Sequence, residues 1–379
     1  MKSTQLCVIA FGTGLMALAP AHATTFQLLA SGLGSSPEIS AVVGTTAYGT
    51  TLYGGSGGGT LFSVTSAGTL TTLHNFAAGT DGGQPNDLLA VDTAGNIYGT
   101  TQTGGKYGSG TIWEFTTGQV LKVRHAFDPS AGDGAEPLQG LVINSAGALF
   151  GAAAGGAIAT NGSVFEITRD GFYITRYQFL SQGDGHCPFS SVAVDTKGNV
   201  YGTVVGNGFG GDPNGAVWKL STKNVLTPIH VFGDGANGLP DGEYPDQAPV
   251  LDAAGNLYGT SITLNGSEYA GVIWKIDTTN TFTILHQFTG KADGYAPNGT
   301  LMINTDGNIY GTTAQGGLIK GIGRGQGILF RITPAGGFTL LHTFTGGSDG
   351  AGPTGTLAHD SFGAIYGATN AGTVYKFTL

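Results

Sequence analysis

Two kinds of side chain recur in this sequence at spacings that could support chemistry. The first is an aspartate: Asp-Gly-x-x-Pro occurs six times, starting at Asp81, Asp133, Asp184, Asp241, Asp293 and Asp349. Carboxylates gathered round one mouth can hold a cation, bind sugar hydroxyls, or act as the acid and base of a hydrolase or lyase. Asp184, Asp241 and Asp293 are the candidates for that catalytic role. The repetition favours a simpler reading, because Asp-Gly suits a tight turn and Pro suits the start of a strand. The second is a histidine two residues before a phenylalanine, at His74, His125, His230, His286 and His342. Each belongs to a different repeat and lies far from the next, so these imidazoles cannot converge on one metal ion.

Departures from the repeat say more, since backbone architecture does not require them. The expanded stretch 233–243, GDGANGLPDGE, gathers Asp234, Asn237, Asp241 and Glu243, with Asp246 just beyond. Oxygen ligands at that density make Asp234, Asp241, Glu243 and Asp246 a candidate calcium site, although the spacing is not an EF-hand's and a solvated loop explains it more simply. The long stretches 205–214, 263–270 and 315–326 present Phe209, Asp212, Glu268, Tyr269, Lys320 and Arg324, with Tyr107 on a neighbouring repeat. Mixed aromatic and polar groups of this kind suit a shallow glycan or peptide site. His186-Cys187 is unique among the Asp-Gly-x-x-Pro segments, but neighbours on an extended chain point to opposite sides and make a poor nucleophile pair. No His-Glu-x-x-His, Cys-x-x-Cys or phosphate-loop signature occurs.

The chain has 379 residues, 69 of them Gly, and about 10% are charged. Glycine here falls at fixed offsets beside apolar segments and so marks turns rather than disorder. The opening MKSTQLCVIAFGTGLMALAPAHA reads as a secretory signal, with Lys2, an apolar run from Leu6 to Ala19, and Ala21-His22-Ala23 for cleavage after Ala23. That run is shorter than the ~20 residues of a spanning helix. The expected product, 24–379, is secreted or periplasmic. Cys7 departs with the leader and leaves Cys187 alone, so no intramolecular disulfide can form. A formal charge of −9, one unit more negative without Lys2, and no basic cluster argue against nucleic acid and anionic membranes as partners. No later apolar stretch approaches spanning length, so a monomer without membrane insertion is expected.

A repeat must position these candidates. Tyr-Gly-Thr or a close variant recurs at Tyr48, Tyr98, Phe150, Tyr201, Tyr258, Tyr310 and Tyr366, at intervals of 50, 52, 51, 57, 52 and 56 residues. The period suits a propeller blade and is too long for helical hairpins or leucine-rich units. In the second repeat, segments 85–92, 96–104, 110–117 and 119–127 have strand character, and no segment shows a sustained helical period. Essentially no helix is expected. An Asp- or Asn-led turn ending in Gly joins the first two segments, so these acids are structural first. An aromatic holds one slot of every third segment, at Phe62, Trp113, Phe165, Trp218, Trp274, Phe330 and Tyr375. Stacked sheets need bulk at matching heights, which makes this slot a packing device. Pro228 falls in a fourth segment and fits an outer edge strand.

After residue 23 the chain opens with a lone segment, 25–30, resembling a fourth strand, and it ends on 372–379, which matches a third. Pairing the two completes the last unit. The sequence therefore predicts an all-β fold, one domain over 24–379: a seven-bladed β-propeller of four-stranded antiparallel blades, closed by its N-terminal strand. An open β-solenoid is the alternative, but it would not need its last unit completed by its first strand.

The run of Asp-Gly-x-x-Pro, then Leu-x-x-Asp-x-x-Gly-Asn-Ile/Leu-Tyr-Gly-Thr-Thr, Gly-Gly, an aromatic-centred strand and His-x-Phe resembles the GloVer tandem repeat of exported bacterial proteins, over the whole of 24–379. The resemblance implies propeller-like repeats and brings no chemistry with it. Members often carry a C-terminal sorting or anchoring tail; this sequence stops at Leu379 on its last strand, so free release is the expectation. The leading functional expectation is an exported, non-enzymatic propeller. It would bind a glycan, peptide or protein partner on the face formed by loops that leave the fourth strand or join the second and third, on blades 3 to 6. The alternatives are a hydrolase or lyase at the central mouth, and a structural envelope protein.

Overall fold

The computed structural model describes residues 24–379 except 87, 156–161, 181–183, 185–187, 189, 206–213, 234–240, 263–270 and 318–324. Seven antiparallel sheets form a ring of blades. Blade 1 consists of Pro37–Val43, Thr46–Thr51, Thr60–Thr65 and Leu70–Asn75, and blades 2 to 6 follow in chain order. Blade 7 takes Pro353–His359, Ile365–Thr369 and Thr373–Thr378 from one end of the chain and Thr25–Ala30 from the other. Thr25 pairs with Thr378, Phe26 with Phe377 and Leu28 with Tyr375, and the Leu33 amide donates to the Gly372 carbonyl at 3.2 Å. This is the closure the repeat phase predicts, and it leaves no final strand unpaired.

Tyr-Gly-Thr and the aromatic slot are two halves of one contact. Gly99 lies directly across from Trp113, Gly202 from Trp218, Gly259 from Trp274 and Gly367 from Tyr375. A Cβ on Gly99 would stand 2.4 Å from Trp113 Cζ2, and one on Gly259 2.2 Å from Trp274 Cζ2. Only glycine leaves room for the ring. The slot tryptophans are fully buried, as a packing role requires. The phenylalanine of each His-x-Phe then reaches the slot of the next blade: Phe76 to Trp113 at 5.7 Å, Phe232 to Trp274 at 6.1 Å and Phe344 to Tyr375 at 5.2 Å between centroids. Among the described residues, one apolar cluster fills each of the seven junctions between blades. At roughly 1.5–3 kcal/mol for each large side chain buried, these junctions are a main source of the fold's stability.

The continuous inner strand expected over 85–92 is not observed. Blade 2 has Gly83–Pro85 and Ala90–Val91 as separate pieces, and blades 3 to 5 keep only Val142–Ile143, Ala193–Val194 and Val250–Leu251. Crowding at the axis is the cause. The Leu141 amide donates to the Leu88 carbonyl of the preceding blade at 3.1 Å, and the Leu89 amide donates to Ser40 Oγ at 3.0 Å, so inner-strand groups leave their own ladder. Backbones there touch: a Cβ on Gly140 would collide with the Leu88 carbonyl of the preceding blade. Pro228 lies in the outermost strand of its blade, Leu226–Val231, where its missing amide costs nothing. The helical element among the described residues is a single 3₁₀ turn, Pro129–Ala131, capped by Asp128. No described helix is long and apolar enough to cross a membrane.

Candidate functional site

The two recurring titratable motifs meet. Each Asp-Gly-x-x-Pro carboxylate turns back onto the outer strand of its own blade, where His74 Nε2 stands 2.9 Å from Asp81 Oδ2, His125 3.0 Å from Asp133, His230 2.9 Å from Asp241 and His342 3.1 Å from Asp349. His286 stands 3.4 Å from Asp293. In blade 3, Tyr177 takes the place of the histidine and donates its hydroxyl to Asp184 at 2.9 Å. The same carboxylates accept backbone amides at the strand end, from Leu180 to Asp184 at 2.9 Å, Gly233 to Asp241 at 3.0 Å and Thr289 to Asp293 at 2.9 Å. Most of these imidazoles also lie flat on a ring of the following blade: His125 on Tyr173 at 3.9 Å, His230 on Phe282 at 3.8 Å and His286 on Phe338 at 4.0 Å. Burial pushes His125, His286 and His342 below the ordinary imidazole pKa, against the pull of their aspartates.

The turn aspartates are engaged in the same manner. Asp92 Oδ1 accepts from the Ala94 and Asn96 amides at 2.9 Å each, and Oδ2 from Asn96 Nδ2 at 2.8 Å and from the Tyr98 hydroxyl at 3.0 Å. Burial opposes ionisation of Asp92, yet these donors outweigh it and hold the carboxyl below its usual range. Tyr98 is pushed up to about 12 by burial and by Asp92. The sequence marks the aspartate as a turn residue but does not reveal that the tyrosine of Tyr-Gly-Thr is its partner.

At the inner rim of blades 2, 6 and 7, the residue after the proline ties its blade to the next. Asn298 Nδ2 donates to the Pro353 carbonyl at 2.7 Å, Thr354 Oγ1 to the Pro37 carbonyl at 2.9 Å, and Asn86 Nδ2 to the Pro137 carbonyl. Asp246 holds this position in blade 5. It is half-buried, and burial raises its carboxyl above the ordinary range. Of the candidate calcium ligands, Asp241 is committed to His230 and Gly233, and Glu243 pairs through its backbone with Ile262. Asp234 lies outside the described residues, and among those described no three His, Cys, Asp or Glu side chains come together as a metal site.

Tyr107 is the one candidate ligand-binding residue within the described structure; Phe209, Asp212, Glu268, Tyr269 and Arg324 lie outside it, as do Lys320 and His186-Cys187. The residue is 46% exposed, and Lys106 Nζ lies 4.7 Å from its ring centroid. It borders a shallow depression of about 450 Å³ on blade 2, walled by Lys106, Arg124, His125 and Asp128. An exposed ring beside cationic donors and a carboxylate acceptor can take the apolar face of a sugar and its hydroxyls together.

The Gloeobacter/Verrucomicrobia repeat matches residues 23–212 and again 193–379. The chain belongs to this repeat family. No curated protein sequence matches the repeat protein. Solved structures similar to it include a catalytically inactive virginiamycin B lyase from Staphylococcus aureus with quinupristin, 14% identical with a TM-score of 0.59, covering 94% of this chain and 100% of that one. A protein from Lactobacillus plantarum is 17% identical with a TM-score of 0.53, covering 88% and 89%. The WD40 propeller domain of Doa1 is 12% identical with a TM-score of 0.53, covering 94% and 97%. At these identities the likeness is one of fold.

Proposed function

We propose that this repeat protein is an exported binding propeller that holds a glycan against its loop face, with Tyr107 as the stacking platform, and that it carries out no chemical step. The observation that supports this reading is the commitment of the repeated carboxylates. Asp184, Asp241 and Asp293, the acids a hydrolase or lyase would draw on, face Tyr177, His230 and His286 of their own blades. What the described loop face leaves accessible is an aromatic ring among hydrogen-bonding groups. Export rests on the leader-like first 23 residues.

A glycan array probed with 24–379, with and without calcium, tests the reading. Binding that falls at least about tenfold in Tyr107→Ala while stability stays within ~0.5 kcal/mol, the usual effect of a surface substitution, supports it. Absence of signal on every glycan overturns it.

A further inference from the structure

The opposite face, formed by the turns between first and second strands, carries a candidate that is independent of the loop-face reading. Six blades bring aliphatic side chains to the axis there: Leu88, Val142, Val192, Pro249, Leu301 and Leu357. They surround a cavity of about 360 Å³ whose described wall contains no charged or aromatic side chain and one polar one, Thr300. The lowest tier, Ile143, Val194, Leu251 and Ile303, leads straight into the turns at Asn144, Asp195, Asp252 and Asn304, so the cavity extends to the turn face. An apolar cavity of about 150 Å³ already takes up benzene, and this one is more than twice as large.

Val194 and Leu251 also wall a second depression, of about 470 Å³, between blades 4 and 5. Its remaining lining is mixed: Asp195, Lys197, Lys219, Asp252, Asp277 and Asn280 line it together with Ile229, Leu257 and Ile276. The three carboxylates are held inside their own turns, Asp195 by Asn199 and Tyr201, Asp252 by Asn256 and Tyr258, and Asp277 by Thr279 and Thr281. Lys219 lies over the Tyr201 ring at 5.5 Å. Acids and bases nearly cancel, leaving a groove suited to a neutral head group rich in hydroxyls. A wholly aliphatic chamber and a groove that adds charged and amide groups to its apolar wall share two residues, and together form a site whose two ends differ in polarity.

We propose that the turn face binds a neutral amphiphile, its single aliphatic chain in the axial cavity and its polyhydroxyl head between blades 4 and 5. Calorimetry with hexyl, octyl and decyl glucoside, each below its micelle concentration, tests this on the 24–379 protein. Affinity should rise about fourfold per added methylene, the equivalent of ~0.8 kcal/mol of burial, until the chamber is full, and then level off. No binding, or affinity independent of chain length, overturns the proposal. Ile143→Gln should weaken octyl glucoside about tenfold or more; unchanged affinity in this variant, once it melts like the parent protein, also overturns it. Octanoate binding as well as octyl glucoside would refute the neutral head group. Saturating octyl glucoside should raise the melting temperature of the unsubstituted protein, a readout that needs no variant to fold. Tyr107→Ala should leave all of these results unchanged, so the two sites fail separately.

Discussion

Blades 6 and 7 solve the same corner with opposite chemistry. In blade 6, His342 meets Asp349 at 3.1 Å, stacks on Phe26 at 4.1 Å, and its aspartate accepts the Thr345 amide at 3.0 Å. In blade 7, Ala30 stands where the histidine would be, pairing with Val374 as His342 pairs with Leu329. Leu33 stands four residues before Pro37, as Asp349 stands before Pro353. Ala30 and Leu33 are partly buried against the cluster between blades 7 and 1. Both partners are replaced at once and by apolar groups. That is the pattern expected of a structural pair, because removing one partner strands a half-buried polar group while replacing both does not.

The sharpest way to break this comparison is to remove the carboxylate alone. Asp349→Ala orphans the Thr345 amide and the His342 ring, and should cost about 2–3 kcal/mol in denaturant unfolding, as loss of charged hydrogen bonds does. A loss below ~0.5 kcal/mol would mean that the pair does not hold the corner. His342→Ala leaves the amide capped and should cost less, about 1–2 kcal/mol, from the lost ring stack and hydrogen bond. Making both replacements together, His342→Ala with Asp349→Ala, should cost less than the two single losses added, by about 1 kcal/mol. Strict additivity would show that the two residues act independently.

Acidification offers the gentlest test. Because burial depresses His125, His286 and His342 below 6.5, the unfolded chain takes up protons that the folded chain refuses. Their contribution is therefore complete above pH ~6.5 and declines as the pH falls below it. Asp349 is also depressed: burial opposes its ionisation, but Thr345 and His342 prevail. It adds a further loss as the pH falls through its folded pKa, below its reference value of 3.8. Unfolding free energy should decline between pH 7 and 5, with a shallower slope in His342→Ala. Stability that rises over that range would contradict the neutral, buried state of the histidines.

The repeat, its phase and the closing pair Thr25–Ala30 with Thr373–Thr378 were legible because each depends on local pattern: turn residues at fixed offsets, alternation within a strand, and a surplus fourth strand at one end matching a deficit at the other. The histidine–aspartate pairs were not read: both motifs recur once per repeat with the aspartate 7 to 11 residues after the histidine, but a loop lies between them and nothing in the pattern shows that it folds back. A signal existed nonetheless in the joint absence of both at Ala30 and Leu33. The inner strand misled because its backbone bonds go to neighbouring blades, as from Leu141 to Leu88, rather than along its own ladder.

By itself the sequence determined seven units, four strands to a unit and the order in which they join, since short-range hydrophobic and turn preferences suffice for that. Tertiary structure alone decided which carboxylates are occupied, where Tyr107 lies exposed, and that residues from six blades make an aliphatic chamber on the axis. Those outcomes depend on side chains whole repeats apart converging when the ring closes, and no local pattern encodes that convergence.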